Sequence, residues 1–271
     1  MKSFLFIGAG RMGGALIKSL LEKGIKPSSI SICEKNPSLI EEWSSKRIKV
    51  FNNPNDAFPC EIVVLAVKPQ NINEALESIK DLPQETILCS IIAGITIEFI
   101  HNFFNKKVFV VRVMPNINAL SFSAVNAISF SHNFPSDKKK KVKEFLSLSG
   151  KVIEIEEEKM NAVTALAGSG PAFVAEFISS LIEGGTRCGL NLEEAKSMTL
   201  QMISGSINTL ITQDWTPDEM KKIVSSPGGT TIEGLSVMTA KGFKNIVIET
   251  IEAAFKKAII LGKKNLNEKK L

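Results

Sequence analysis

Six residues near the start of the chain constrain its fold more than any other segment. They read Gly8-Ala9-Gly10-Arg11-Met12-Gly13 and stand between an apolar run that ends at Ile7 and a helical pattern that begins near Met12. Glycines also end strands for structural reasons alone. Between a strand and a helix, however, the first glycine permits a tight turn, the second leaves room for a pyrophosphate, and the third allows close packing. The segment therefore predicts a dinucleotide-binding βα unit.

The rest of the first half alternates short apolar runs with helical patterns. Strands are predicted at 3–7, 30–33, 61–67, 86–90 and 108–113, with helices at 12–21, 37–45 and 71–79. Continuous apolar strands separated by helices are typical of a parallel sheet covered on both faces. Strands at 124–130 and 151–155, flanking a basic helix at 138–148, are expected to extend this sheet.

The pattern changes after residue 157, where strand-like runs give way to helices predicted at 172–188, 193–211, 216–224, 230–239 and 243–261. The first of these helices carries two adjacent apolar stripes, a wider face than one small bundle needs. The fold class predicted is α/β, with a Rossmann-type domain over 1–157 followed by an all-helical domain over 158–271.

Composition narrows the classes of partner. The net charge of +5 is concentrated at 138–143 and 263–270, without interleaved aromatics, so solvated helix faces are favoured over a nucleic-acid surface. The four cysteines form no CxxC pair, as expected of reduced thiols. Arg11 interrupts the first apolar run too early for a signal peptide, and no apolar segment reaches the roughly 20 residues of a membrane span. A cytoplasmic protein with neither nucleic-acid nor membrane partners is predicted.

Cofactor choice depends on the end of the second strand. Glu34 follows that strand, where an acidic residue usually binds the adenine ribose and favours NAD. Lys35 is adjacent, where it would be able to pair with the 2′-phosphate of NADP. An ordinary exposed Glu-Lys pair in a loop is an equally good interpretation, so the sequence leaves NADH and NADPH open.

Two glycine-rich turns stand out in the second half. Ser225-Ser226-Pro227-Gly228-Gly229-Thr230-Thr231 lies between two predicted helices, where converging N–H groups and hydroxyls would suit a carboxylate. A plain interhelical turn with an N-cap explains its spacing equally well. Gly168 to Ala172 precedes the long helix, and Pro171 suits a first helical turn.

Together these segments resemble one family. Residues 224–231, followed by Glu233-Gly234-Leu235, are similar to the signature of pyrroline-5-carboxylate reductases. Residues 66–69, 112–116 and 165–173 resemble three further blocks of that family, in the expected order. The resemblance covers essentially the whole chain.

The resemblance implies reduction of L-1-pyrroline-5-carboxylate to L-proline by NADPH or NADH, the final step of proline biosynthesis. It implies a homodimer formed by the helical domains, which can assemble further into a ring, with the active site at the subunit interface. Substrate would bind at Ser226, Gly229, Thr230 and Thr231, and Thr231 is the candidate for the catalytic hydrogen bond near the imine nitrogen. The nucleotide would contact Ile7, Gly8, Gly10, Arg11, Met12, Gly13, Glu34, Lys35, Ala66, Val67, Lys68, Pro69, Ile92, Ala93 and Gly94.

The chemistry is consistent with this prediction. A protonated cyclic imine is already an electrophile, so its reduction needs orientation and no metal. The sequence has no HExxH motif, and His101 and His132 stand in no recognisable catalytic context. A 2-hydroxy-acid oxidoreductase would be expected to carry Lys or His on the long helix, yet 173–188 has neither. Another imine reductase and a non-catalytic nucleotide-binding protein remain alternatives, although the latter would predict a damaged 225–231 loop.

Overall fold

The N-terminal part of the molecule is built on one eight-stranded sheet. The computed structural model describes residues 3–105 and 107–267, with side chains up to residue 262, so the basic run at 263–270 lies outside the described side chains. The strand order is β3-β2-β1-β4-β5-β6-β7-β8. The strands are β1 Phe4–Ile7, β2 Ile30–Cys33, β3 Lys49–Phe51, β4 Ile62–Leu65, β5 Ile87–Ser90, β6 Phe109–Met114, β7 Ala124–Phe130 and β8 Gly150–Glu154.

The sheet is parallel, as predicted, except where β7 runs antiparallel to β6. Only residues 115–123 connect these two strands, and a parallel crossover needs a dozen or more residues. The short connection therefore forces the chain to turn back. The predicted extension of the sheet by β7 and β8 is confirmed.

Helices cover the sheet and make up the C-terminal part. Several begin where the sequence supplies a cap: the Asn36 side chain accepts from Ser38 N–H, and Thr216 and Glu219 form a capping box behind Pro217. The helices are α1 Arg11–Glu22, α2 Pro37–Ser45, α3 Ile72–Ser78, α4 Ile97–Phe103, α5 Ser136–Ser147, α6 Met160–Val163, α7 Gly170–Arg187, α8 Leu192–Thr212, α9 Pro217–Ile223, α10 Thr230–Ala240 and α11 Phe243–Asn267. The short elements β3, α4 and α6 were not predicted from sequence.

The core lies on both faces of the sheet. Every residue of β1, β4 and β5 is buried. Alternate side chains of β1 join opposite clusters, with Phe4 and Phe6 on one face and Leu5 and Ile7 on the other. Burial on both faces explains why these strands read as uninterrupted apolar runs.

Two compact units are present. The described residues up to Ser169, joined by those from Ala254 onward, form the first unit, and Gly170–Ala253 form the second. Residues 160–169 belong with the sheet partly because Asn116 Nδ2 donates to the carbonyl of Ala167 at 3.0 Å. The domain boundary between residues 157 and 158 stays a prediction, since packing alone divides the chain later.

The second unit exposes much apolar surface. Neither α7 nor α10 has a buried residue, and large side chains such as Val174, Phe177 and Ile211 are 40–71% exposed. One helical run of the described residues, 157–187, is long and apolar enough to cross a membrane by length and composition. The sequence prediction of no membrane span considered only uninterrupted apolar segments. Residues 157–187 were not such a segment, because they include glycines, serines and Glu176. This many exposed apolar side chains on a single chain indicate an interaction surface.

Candidate active site

The register of the parallel strands brings four candidate segments to one edge of the sheet. Ile7 pairs with Cys33 on one side and with Leu65 on the other, and Leu65 pairs with Ser90. The residues that follow these four strands therefore lie side by side along the carboxyl edge. The segments are 8–13, 34–35, 66–69 and 91–94. In open α/β sheets this edge is where ligands bind.

Gly8 and Gly13 are required by close packing inside the protein. Gly8 has φ of +90°, and a Cβ there would lie 2.9 Å from the carbonyl oxygen of Ala66. A Cβ on Gly13 would lie 2.8 Å from the carbonyl oxygen of Gly8 and 3.0 Å from Ala66 Cβ. These two glycines let α1 begin directly against β1 and β4.

Gly10 differs from its neighbours because the protein itself does not need it. It is the N-cap of α1 at φ −67°, and a Cβ there would meet no described atom within 4 Å. Glycine has no side chain that could cap the first turn of α1, and the N–H groups of that turn lack intrahelical acceptors. The loop thus fits a dinucleotide, whose pyrophosphate would need both the open space and the N–H groups.

Glu34, rather than Lys35, faces the glycine-rich loop. Glu34 Oε2 accepts from Ala9 N–H at 2.8 Å, and Oε1 accepts from the N–H groups of Lys35 at 2.8 Å and Asn36 at 3.0 Å. The Lys35 ammonium is exposed and forms an ion pair with Glu74 of α3. The carboxylate is therefore held over the loop by three backbone donors, and the ammonium is engaged elsewhere.

Two further segments complete the edge. Ala66 N–H donates to the carbonyl of Ile7 at 2.9 Å, and Lys68 is exposed at the start of a short turn with Pro69. Val67 is half-buried beside Gly8. After β5 the chain turns at Gly94, whose φ is +78°. Ile92 and Gly94 are buried and Ala93 is half-buried.

The second unit contains the 225–231 turn. It joins α9 to α10, with Gly228 at φ +69° and Gly229 as the N-cap of α10. A Cβ on Gly229 would lie 2.5 Å from Ser226 Oγ. Ser226 and Thr230 are exposed and Thr231 is half-buried. The turn therefore carries the hydroxyls of Ser226, Thr230 and Thr231 next to the first N–H groups of α10, and Gly229 supplies no side chain to cap them.

Ser225 was not among the predicted site residues. Its Oγ is buried and has no hydrogen-bond partner in the described part of the chain. It lines an open groove of about 670 Å³ with residues of α9 and α10, including Lys222 and Ile232. No sequence signal separates Ser225 from Ser226, because both stand in the same turn.

Thiol chemistry is excluded at two cysteines. Burial raises the pKa of Cys60 and Cys89 to about 12, so neither forms a thiolate near neutral pH. His101 Nε2 lies 3.2 Å from the carbonyl oxygen of Val108, which gives that imidazole a structural contact. In the described ranges, no group of three His, Cys, Asp or Glu side chains is placed to hold a metal ion.

The chain is 34% identical to pyrroline-5-carboxylate reductase 2 of Bacillus subtilis, over 95% of this chain and 94% of the relative. It is 41% identical to the pyrroline-5-carboxylate reductase of Aquifex aeolicus, over 73% and 74%. The chain belongs to the pyrroline-5-carboxylate reductase family.

Family models and solved structures agree with this membership. A model described as pyrroline-5-carboxylate reductase dimerisation matches residues 157–261, and one described as NADP oxidoreductase, coenzyme F420-dependent, matches residues 3–94. The crystal structure of Plasmodium falciparum pyrroline carboxylate reductase with NADP bound superposes with a TM-score of 0.87 at 30% identity, covering 96% of this chain and 98% of that one. The resemblance and the fold class predicted from the sequence are confirmed.

Asn116, in one of the segments that resemble the family, has a structural role that was not predicted from the sequence. The buried Asn116 accepts from Val125 N–H at 3.3 Å and donates to Ala167. Ala167 lies in a π-helical turn, Thr164–Gly168, closed by Ser169 N–H on the carbonyl of Thr164. Such turns are frequent at functional sites. Asn116 thus fixes the approach to the Gly168–Gly170 turn.

Proposed function

We propose that this chain is an NAD(P)H-dependent pyrroline-5-carboxylate reductase, which reduces the C=N bond of L-1-pyrroline-5-carboxylate to give L-proline, the final step of proline biosynthesis. The observation that carries this proposal is the intact 224–231 turn in a member of the family, at the N-terminus of α10. The relatives named for this activity match nearly the whole chain, which supports extending it to this protein.

The first unit would bind the dinucleotide along the carboxyl edge of the sheet. The pyrophosphate would lie over Gly8 to Gly13 with Ile7 beneath it, and Glu34 or Lys35 would meet the adenine ribose. The segments 66–69 and 92–94 would flank the second ribose and the nicotinamide. When bound, NADPH or NADH supplies the hydride. The protein contributes orientation, because the positions of these segments are fixed by the sheet register.

The second unit would hold the substrate carboxylate. Ser226 Oγ, the N–H of Thr230 and Thr231 Oγ1 would donate to it, with Gly229 leaving the space. The dipole of α10 would add a favourable field for an anion. Thr231 is also our candidate for the hydrogen bond near the imine nitrogen. Pinning the carboxylate orients the neighbouring C=N bond, which is what hydride addition to a protonated imine requires.

We infer a homodimer, able to assemble further into a ring, in which a second copy covers the exposed faces of α7 and α8. A partner of the same kind would explain the apolar run at 157–187 without a membrane. A cytoplasmic location without nucleic-acid partners agrees with a biosynthetic enzyme of small molecules.

The exposed face of α7 gives a test of the homodimer. Val174 is 51% exposed on a single chain. Val174→Asp is expected to give a monomer, because a buried unpaired carboxylate at an interface is strongly unfavourable. Analytical ultracentrifugation should then report the 29.6 kDa chain mass instead of twice that value or a higher multiple. Val174→Thr keeps the shape without the charge and should remain assembled; equal masses for both variants and the unmodified protein would exclude this face from the interface.

Assays with different substrates distinguish the proposed function from two alternatives. An oxidoreductase for another imine or a 2-hydroxy acid would oxidise or reduce those compounds and leave the pyrroline untouched. A non-catalytic nucleotide-binding protein would bind NAD(P)H without any turnover. The direct test is oxidation of NADPH and NADH by the purified protein with L-1-pyrroline-5-carboxylate, with proline identified as the product.

The same assay tests cofactor choice. Glu34→Ser is expected to lower the Michaelis constant for NADPH roughly tenfold relative to that for NADH, because the carboxylate beside the loop would repel a 2′-phosphate at close range. Lys35→Ser is the matched control, since its ammonium is held by Glu74. A larger change in the NADPH constant from Lys35→Ser would assign cofactor choice to the lysine instead.

A further inference from the structure

A row of polar side chains crosses the apolar sheet next to the proposed nicotinamide segment. Ser90, Arg112 and Ser129 are in-register neighbours on β5, β6 and β7 and therefore point to the same face. All three residues are at most 5% exposed. Serine can be buried at modest cost, but a guanidinium inside a sheet needs a specific partner.

Glu157 is that partner, and it has a second contact. Arg112 Nη1 donates to Glu157 Oε1 at 3.1 Å, and the same oxygen accepts from Ile97 N–H at 2.8 Å. Ile97 is the first residue of α4. The carboxylate therefore ties the start of α4 to the middle of the sheet.

The hydrogen bond from Ile97 N–H to Glu157 fixes one end of a short loop. Residues 91–96 run from the end of β5 to the start of α4 and include Ile92, Ala93 and Gly94. The loop begins with Ile91 N–H donating to the carbonyl of Leu65 at 3.1 Å, a contact of the sheet itself. It ends at the N–H held by Glu157. With both ends fixed, the turn at Gly94 has little freedom to shift.

The pair is not arranged for stability alone. Arg112 Nε and Ser90 Oγ are buried without a hydrogen-bond partner in the described part of the chain. The Arg112 side chain is buried, whereas that of Glu157 is 26% exposed. An ion pair with one buried partner and an unmet donor is commonly less stable than apolar side chains of similar volume. An apolar pair at these two positions would therefore make the fold more stable. It would also leave Ile97 N–H without its carboxylate acceptor.

We propose that Arg112 and Glu157 are positioning residues that hold the 91–96 loop where it receives the nicotinamide half of the cofactor. This rests on the proposed assignment of 92–94 to that half. The adenine half would bind at the glycine-rich loop and Glu34, which the pair does not contact. Loss of the pair should therefore weaken binding of one half of the dinucleotide and leave the other half unaffected.

The test is the double variant Arg112→Met/Glu157→Met, with affinities measured by titration calorimetry for NADPH, NADH, ADP-ribose and 2′-phospho-ADP-ribose. The expected result is a melting temperature equal to or above that of the unmodified protein, unchanged affinity for the two fragments, and roughly tenfold weaker binding of the whole dinucleotides. Turnover should fall roughly tenfold to a hundredfold, as for a misplaced reactant. Arg112→Leu/Glu157→Leu, a second apolar pair that also releases Ile97 N–H, provides the same comparison should the first double variant fold poorly.

The matched control is Glu156→Gln, which removes one charge at the preceding residue, an exposed glutamate paired with Lys159. It should leave all four affinities unchanged. Unchanged dinucleotide affinity in the double variant, equal weakening of fragments and dinucleotides, or an equal effect of Glu156→Gln would each overturn the proposal. Gly94→Val tests separately whether residues 92–94 bind the nicotinamide half. If dinucleotide binding survives that change, residues 92–94 are not the nicotinamide segment. The affinities are informative even if the protein reduces a different substrate.

Discussion

Gly10→Val is expected to abolish dinucleotide binding while the protein stays folded. A Cβ at this position meets no described atom within 4 Å, and φ of −67° is open to any residue. The cost to folding is limited to replacing glycine at an N-cap, about 1 kcal/mol. The added atoms would instead occupy the space that a pyrophosphate needs, and affinity should fall by roughly a hundredfold or more. Calorimetric titration with NADPH, together with a thermal melt, measures both quantities.

Two other glycines make this experiment specific. Gly24→Ala places a Cβ at φ +87° in open space, so it should reduce stability by about 1 kcal/mol and leave binding intact. Gly8→Ala adds to similar strain a contact of 2.9 Å with the carbonyl oxygen of Ala66, so both stability and binding should fall. Wild-type affinity in the Gly10 variant would show that the pyrophosphate does not lie on this loop.

The second large effect is expected at the substrate turn. Ser226→Ala and Thr231→Ala should each lower kcat/KM for the imine through a higher Michaelis constant, since a hydrogen bond to a charged group is worth about 1.5–3 kcal/mol. This corresponds to roughly a 10- to 150-fold change. NADPH affinity should hardly move, because the turn belongs to the second unit and the glycine-rich loop to the first.

Thr231→Val separates binding from proton transfer. Valine keeps the shape of threonine without the hydroxyl, so normal turnover at saturating imine would exclude Thr231 as the proton donor. Thr212→Ala removes an exposed hydroxyl in the same helical unit, at the end of α8, and serves as the control. If Ser226→Ala and Thr231→Ala both left the Michaelis constant unchanged, the carboxylate would have to bind elsewhere.

Most of the fold was predictable because its signals are local. The bounds of α2 and β7 were predicted to the residue, since Asn36-Pro37 begins the helix and a mostly apolar run, interrupted only by Asn126 and Ser129, defines the strand. By contrast β3 has three residues, none of them buried, and gives almost no periodic signal. Helix α4 was missed because it has only seven residues, and only Thr96, its N-cap, marks the start.

The glycine-rich loops could be found from spacing, but the groups that hold the site could not. Arg112 and Glu157 stand 45 residues apart and meet only because β6 lies beside β5 and the chain returns after β8. Asn116 was visible within a block typical of the family, yet its contact with Ala167 depends on a π-helical turn. Long-range pairs of this kind follow from topology, which a single sequence specifies only indirectly.

The exposed apolar faces of α7 and α8 have a consequence for how long the molecule survives in solution. If a second copy covers them, part of the free energy that keeps each chain folded comes from association. Folding then depends on mass action, and the resistance of the enzyme to heat and proteases rises with its own concentration. In a cell with a low concentration of this protein, each chain would be less resistant to heat and proteases than in a cell with a high concentration.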